Sequence, residues 1–176
     1  FALNYQKAQA DAEIASGATV NAGTGDVVLT ATNTTNSTVE AKAKTGQAGD
    51  TGVGVSVGIN IAVDNDTRAN LNGTLNGGDD VTLTATGSHV VNTTAEGGGE
   101  STGGTGVGGA LALTVADSDT EAKIGANATA LNVTGAVSAT AKHQGSSETT
   151  ARGDASGSST AVGAAIALGF VDDSAV

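Results

Sequence analysis

The sequence predicts an all-β fold, a parallel β-solenoid (β-helix) of about three repeats of roughly 54 residues, and three observations point to it. A long phrase recurs: TGVGVSVGINIAVDNDTRANL (51–71) returns as TGVGGALALTVADSDTEAKI (105–124) and, shortened, as TAVGAAIALGFVDDSAV (160–176). A second phrase lies between the copies: GDVVLTAT (25–32), DDVTLTAT (79–86) and a looser GAVSATAK (135–142). The period is common to both. Val53, Val107 and Val162 are 54 and 55 residues apart, and Val27, Val81 and Val137 are 54 and 56 apart. The third observation is composition. Among 176 residues there are 27 Gly, no Pro, Cys, Met or Trp, and three aromatics, Phe1, Tyr5 and Phe170. An ordinary globular core needs more bulk, whereas Ala, Val, Ile and Leu suit a thin interior between sheets. Abundant Thr, Val and Ile favour strands, and Gly and Asn favour turns. Disorder is disfavoured, because disordered chains do not hold apolar alternation in register over three copies.

The first strand of the repeat spans 53–63. Val53, Val55, Val57, Ile59, Ile61 and Val63 alternate with Gly54, Ser56, Gly58, Asn60 and Ala62. Period-two alternation makes this a strand with one buried face, and the Val/Ile row is the expected buried one. Copies two and three keep the pattern with Val107, Leu111, Leu113 and Val115, then Val162, Ala164, Ile166, Leu168 and Phe170. Acidic turns are expected next, at Asp64-Asn65-Asp66, Asp117-Ser118-Asp119 and Asp172-Asp173-Ser174, where side-chain-to-backbone bonds close turns. A short strand follows at 69–71 and 122–124, with 12–14 as the earlier equivalent. The second phrase is another strand, with Val27, Leu29 and Ala31 inward, then Val81, Leu83 and Ala85, then Val137, Ala139 and Ala141. Gly-rich joints, Gly97-Gly98-Gly99 and Gly103-Gly104, return the chain to the next copy. Stacking is parallel, and parallel crossovers are nearly always right-handed, so a right-handed solenoid is expected.

The period fits one wide coil of about 54 residues, stacking Val53 on Val107, or two interleaved coils of about 27. Length variation within the Gly/Ser/Asn joints favours the wide coil. The chain then divides into repeats at about 1–52, 53–106 and 107–161 with a partial 162–176, all in one solenoid segment. Residue 1 and the final FVDDSAV both fall inside a repeat, so a slice of a longer protein is expected, with secretion signal and anchor elsewhere.

The net charge is −11, from 18 acidic and 7 basic residues. A basic footprint for nucleic acid is absent. No run of about 18 apolar residues is present to span a membrane as a helix, so membrane insertion of this segment is not expected. An acidic, Cys-free chain suits an extracellular or cell-surface location.

Candidate chemistry is sparse. Asp64, Asp66, Asp117, Asp119, Asp172 and Asp173 recur at equivalent positions, and stacked one rung apart they would form an acidic ladder. Calcium, which takes six to eight oxygens, is the ion such a ladder would hold. The competing reading is a solvated polar turn, and the GGxGxDxUx nonapeptide of calcium-binding β-rolls is missing. Outward Thr ranks (Thr30, Thr32; Thr82, Thr84, Thr86; Ser138, Thr140) resemble flat ice-binding arrays, but Thr also stabilises exposed strands by cross-strand pairing, and Lys142 breaks the rank. His89 and His143 are tied to neither a nucleophile nor a metal-ligand spacing. Carboxylates repeat with the fold rather than clustering once, which disfavours a polysaccharide-cleaving site. The Gly runs at 97–99 and 103–109 lack the strand–loop–helix setting of a phosphate loop. No catalytic residue and no cofactor other than calcium is expected.

GVGVSVGINIAVDNDTRANL and DDVTLTATGSHVVNTTAEGGG resemble the β-strand repeats of very large secreted bacterial exoproteins, the filamentous haemagglutinin-like and leukotoxin-like adhesins. The resemblance covers essentially the whole chain and implies an extracellular, fibre-like segment serving adhesion, surface display or filament formation. It supplies no functional residues. The expected function is a non-catalytic scaffold or stalk. Its partners would be neighbouring repeats or subunits stacked end to end, with host or matrix glycans bound through other regions. The alternative is a carbohydrate- or receptor-binding module, calcium-dependent if the acidic positions hold the ion.

Overall fold

The computed structural model describes residues 1–128 and 131–176, with the side chains of all of these except 45–48. It is all-β, with twelve strands and no helix among the described residues. In chain order these are β1 (Ala2–Gln6), β2 (Gln9–Ile14), β3 (Thr19–Gly23), β4 (Val27–Ala48), β5 (Thr51–Ala62), β6 (Asp66–Leu71), β7 (Thr74–Gly77), β8 (Val81–Ser101), β9 (Thr105–Ile124), β10 (Leu131–Asn132), β11 (Val137–Gly157) and β12 (Thr160–Ala175).

Every pairing is parallel and joins positions one repeat apart. The first sheet runs β1-β5-β9-β6-β2, with β12 also on β9; the second is β10-β7-β3 and the third β11-β8-β4. Val53 pairs with Val107 and Val107 with Val162, while Val81 lies between Val27 and Val137. Equivalent strands therefore stack directly, as a single wide circuit per repeat requires, and the interleaved arrangement is excluded.

Long strands β4, β8 and β11 each turn over and run back as β5, β9 and β12 in the facing layer. The returning strand faces the outgoing one across the interior and belongs to a different sheet. The second sheet closes one end of this two-layer arrangement. There the main apolar core collects Ile14, Ala31, Ala69, Leu71, Leu75, Val81, Leu83, Ala85 and Ala122. Leu71, Leu75 and Leu83 are fully buried, each contributing about 1.5–3 kcal/mol by removal of apolar area from water. The inward setting of Val81, Leu83 and Ala85 agrees with the alternation read from the sequence.

Away from that end the interior narrows, and three expectations are corrected. The Gly97-Gly98-Gly99 run is no joint but part of β8; the chain turns only at 102–104. The faces of β5 are also reversed. Gly52, Gly54, Ser56, Gly58, Asn60 and Ala62 are buried, while Val53 and Val55 are 51% and 60% exposed. The cause is the facing backbone. A Cβ on Gly54 would lie 2.0 Å from the Gly98 carbonyl oxygen, one on Gly97 1.8 Å from that of Gly109, and one on Gly108 1.8 Å from that of Asp154. The layers meet almost backbone to backbone, far closer than the roughly 10 Å between sheets with interdigitating side chains. Around these glycines only Gly, Ala and small polar residues fit between the layers, and farther along Val91 is accommodated by the small Ala62 and Ala116. The bulky aliphatic row of the returning strands is therefore left on the outside.

The third correction concerns the acidic turns. β9 and β12 run straight through Asp117-Ser118-Asp119 and Asp172-Asp173-Ser174. Only the first copy breaks, between β5 and β6. Ala62 pairs with Ala116 and Thr67 with Thr120, so four residues (63–66) oppose three (117–119). This is a β-bulge, and Asp64 takes up the additional residue at φ +52°. Hydrogen bonds from the Asn65 amide to the Asp117 carbonyl (3.2 Å) and from the Asp66 amide to that of Ala8 (2.9 Å) keep the ladder together around it.

Two sets of polar residues inside the narrow part are paired across layers, while Ser56 Oγ is buried without a hydrogen-bond partner. Asn60 is fully buried and uses its whole amide. Its Oδ1 accepts from Ser37 Oγ (2.6 Å) and Asn4 Nδ2 (3.1 Å), and its Nδ2 donates to the carbonyls of Ser37 (3.2 Å) and Asn92 (3.1 Å). One rung on, Thr114 Oγ1 lies 2.6 Å from Thr93 Oγ1 and accepts from Thr149 Oγ1 at 2.7 Å. These bonds satisfy groups that would otherwise be stranded without water.

Candidate functional site

The six acidic positions do not gather into one ladder. Asp64 pairs with Lys7 at 3.0 Å, both half exposed. Asp66 is largely covered on the outer face of β6, 2.7 Å from the Arg68 guanidinium and accepting from Gln9 Nε2 at 2.8 Å. Asp119 accepts from Ser174 Oγ at 2.5 Å. Asp117 and Asp172 are register partners on neighbouring strands. Asp173, one residue on, belongs to the opposite face and comes within 3.5 Å of His143 Nε2. Burial, then the charges of Asp119, Asp172, Asp64 and Asp66, push the Asp117 carboxyl above its ordinary range. Among the described residues no group of three or more His, Asp or Glu side chains is placed to hold a metal ion.

The two histidines, unconnected in the sequence, meet inside. His89 pairs in register with Gly145 and His143 with Gly87, so each ring lies beside a residue with no side chain. The ring centroids are 5.4 Å apart at an interplanar angle of 34°. Thr35 Oγ1 lies 2.8 Å from His89 Nδ1, and Thr120 Oγ1 3.0 Å from His143 Nδ1. The Nε2 atoms of both rings are buried without a hydrogen-bond partner, the Asp173 contact being too long for a strong one. Burial, then the adjacent His143, lower the His89 pKa, against a smaller opposing pull from Asp173. The hydroxyls beside the pair, Thr35 Oγ1 and Thr120 Oγ1, belong to buried residues, so the cluster lies in the interior.

The Thr ranks point outward as expected. Thr84 lies between Thr30 and Thr140, but Thr86 lies between Thr32 and Lys142, and Thr82 between Val28 and Ser138. The regular part is thus one ladder wide. Further along the same face, Glu96 lies between Lys42 and Arg152, and Gly98 between Lys44 and Asp154. The missing side chain at Gly98 opens a trough of about 200 Å³, flanked by Lys44, Glu100, Asp154 and Ser156.

The feature that the alternation concealed is the opposite face. Outward on the first sheet, Leu3, Ile59, Leu113 and Leu168 stack in one ladder and Tyr5, Ile61, Val115 and Phe170 in the next. Val57, Leu111 and Ile166 form a third, and Val53, Val107 and Val162 a fourth. Tyr5 is 65% exposed, Ile166 58% and Phe170 60%. The signal available in the sequence was glycine. Gly97/Gly99 and Gly106/Gly108 alternate on two successive strands, which marks two backbones in close approach. Comparison with protein-family models, with curated proteins and with solved structures finds no match for the chain.

Proposed function

We propose that this chain is a non-catalytic structural segment, a right-handed β-solenoid stalk of an extracellular bacterial adhesin or surface fibre, built from repeats of about 54 residues at 1–52, 53–106, 107–161 and a partial 162–176. The observation that carries the reading is the register. Sixteen consecutive residues of β12 pair with β9, and twelve of β5 with β9, always at the equivalent position of the neighbouring repeat. Such an arrangement extends by one strand spacing, about 4.8 Å, for each added repeat. Load along the axis is borne by backbone ladders common to every repeat, so no single side chain is indispensable. The polar outer face of β4, β8 and β11, rich in Thr and charged residues, keeps that side in water.

The test is to join two copies of residues 53–160 in tandem and measure the axial dimension by small-angle scattering and cryo-electron microscopy. Growth by about 4.8 Å per repeat, with a matching fibre reflection, supports the stalk. Collapse into separate globular particles refutes it. A second reading, a carbohydrate- or receptor-binding module, is favoured by the charged trough at Gly98, which does not recur identically in each repeat. Glycan-array binding abolished by Asp154→Ala and Lys44→Ala would establish it.

A further inference from the structure

We propose that the outward aliphatic face of β1, β5, β9 and β12 is a lateral interface that receives the same face of a second copy of this chain. The proposal goes beyond the stalk reading, which concerns stacking along the axis and stands or falls separately.

Three observations carry it. The face is contiguous, because parallel register aligns like with like in the Leu3/Ile59/Leu113/Leu168, Tyr5/Ile61/Val115/Phe170 and Val57/Leu111/Ile166 ladders. It cannot turn inward, because the other side of the same strands lies against backbone, with Gly54 and Gly108 admitting no Cβ. It is also uncharged. The chain carries 18 acidic and 7 basic residues, yet the outward positions 53–61, 107–115 and 162–170 hold none of them. Charge begins only at the margin, with Lys7, Asp64, Asp117 and Asp172.

A chain of net charge −11 repels its own copies everywhere else, so this is the surface on which two copies approach without a charge penalty. Its size suffices. Three nine-residue rows and part of a fourth, at about 4.8 Å between strands and 3.3 Å per residue, cover roughly 500 Å² per copy. A pair then buries roughly 1,000 Å², the threshold for a specific interface, and a patch of that size lies at the upper end of what a monomer exposes, where such patches often serve association. The chemistry selects a like partner. The outward rows at 53–61, 107–115 and 162–170 present no hydrogen-bonding side chain to a glycan, Tyr5 at the edge strand carrying the one hydroxyl of the face, and the acidic margin repels an anionic lipid surface. A second sheet with the same strand spacing packs on it aligned, side chains interleaved, about a two-fold axis.

The test measures the mass of the full 176-residue chain by sedimentation equilibrium, with Leu113→Asp on the face and Thr94→Asp on the polar side. The expected result is twice the 16.7 kDa chain mass for the parent and for Thr94→Asp. Leu113→Asp should weaken association on the order of 100-fold, as truncation of a buried anchor does. If Leu113→Asp loses its β-sheet circular dichroism, the milder pair Val107→Thr and Val162→Thr decides, with the same expectation. A single Leu113→Cys change should also yield disulfide-linked dimers on oxidation. A parent that stays monomeric at tens of micromolar overturns the proposal, as does a dimer indifferent to both face variants. A monomer that floats with phosphatidylcholine vesicles overturns it too, in favour of a lipid-facing role.

Discussion

The reversed face of β5 rests on glycines that leave no room for a side chain, and replacing one of them tests the whole arrangement. Gly97 and Gly98 are adjacent on β8 but face opposite ways. A methyl group on Gly97 would come within 1.8 Å of the Gly109 carbonyl oxygen and 2.8 Å of that of Gly54, where ordinary contact begins near 3.4 Å. The layers would have to part by more than an ångström, and neither obstacle is a side chain able to rotate away. Overpacking typically costs about 1–3 kcal/mol, and with backbone on both sides Gly97→Ala belongs at the upper end. For a chain of this length, 3 kcal/mol lowers Tm by about 6–12 °C. Gly98→Ala meets nothing nearer than 3.7 Å and has no left-handed φ. It should leave stability unchanged or raise it by about 0.4–1 kcal/mol, because Ala narrows the unfolded ensemble. Thermal and guanidinium unfolding followed by far-UV circular dichroism separate the two. If Gly97→Ala melts within about 2 °C of the parent, or Gly98→Ala is equally damaging, the close approach of the layers is wrong.

Asn60→Ala should cost about 2–3 kcal/mol, because Ser37 and Asn4 lose their acceptor and two carbonyls their donor inside a dry layer; denaturant titration at constant m-value would measure it. Asp117→Asn should stabilise the fold at neutral pH and low salt, since burial and the carboxylates around Asp117 already disfavour its charge; the gain should shrink in high salt. Burial and the adjacent His143 hold His89 below the ordinary histidine value of 6.5, so the unfolded chain binds a proton that the folded one refuses. Stability is therefore complete above about pH 6.5 and falls as the pH drops from there towards the folded-state pKa. The groups facing the ring are His143, Asp173 and Thr35. Melting curves between pH 8 and 5 should show this loss, and His89→Gln should flatten it. Calcium at millimolar concentration should leave Tm unaltered, given that Lys7, Arg68, Gln9 and Ser174 already engage three of the acidic side chains; a rise of several degrees would assign the ion to those positions.

Periodicity made the β class and the repeat length legible, and it allowed the direct stacking of Val53 on Val107 as one of two arrangements. It also placed the second phrase correctly, because Val81, Leu83 and Ala85 alternate with Thr, and Thr has an evident reason to face water. The first phrase misled because its alternation is Val/Ile against Gly, Ser and Asn, which says where the faces are but not which one is inside. Hydrophobicity assigns the larger residues to the core, whereas here a space too thin for them decides. The bulge at Asp64 was unreadable for a different reason: it depends on a count of four residues against three, and the count appears only when the neighbouring strand is aligned. The His89–His143 pair is likewise a product of register, since the two residues are one repeat apart and lie diagonally across adjacent strands.

The same glycines connect the interior to the outside. A strand that gives up one face to backbone contact keeps only its other face for apolar burial, so each aliphatic residue from Val53 to Ile61 stabilises the protein only if something covers it. Stacking further repeats adds length to that uncovered strip without closing it, because each new rung brings its own Val, Leu and Ile to the same side. Apolar exposure therefore grows in proportion to the number of repeats, and so does the free energy available from pairing two strips, at roughly 25 cal/mol per Å². Two rungs would associate weakly and many rungs strongly. In a stalk of this construction lateral pairing is thus a function of length, and shortening the chain by one repeat should weaken association more than it weakens the fold. A sedimentation series on chains of two, three and six repeats would measure that dependence. A dissociation constant that stays level across the series would mean the strip is covered by something other than its own copy.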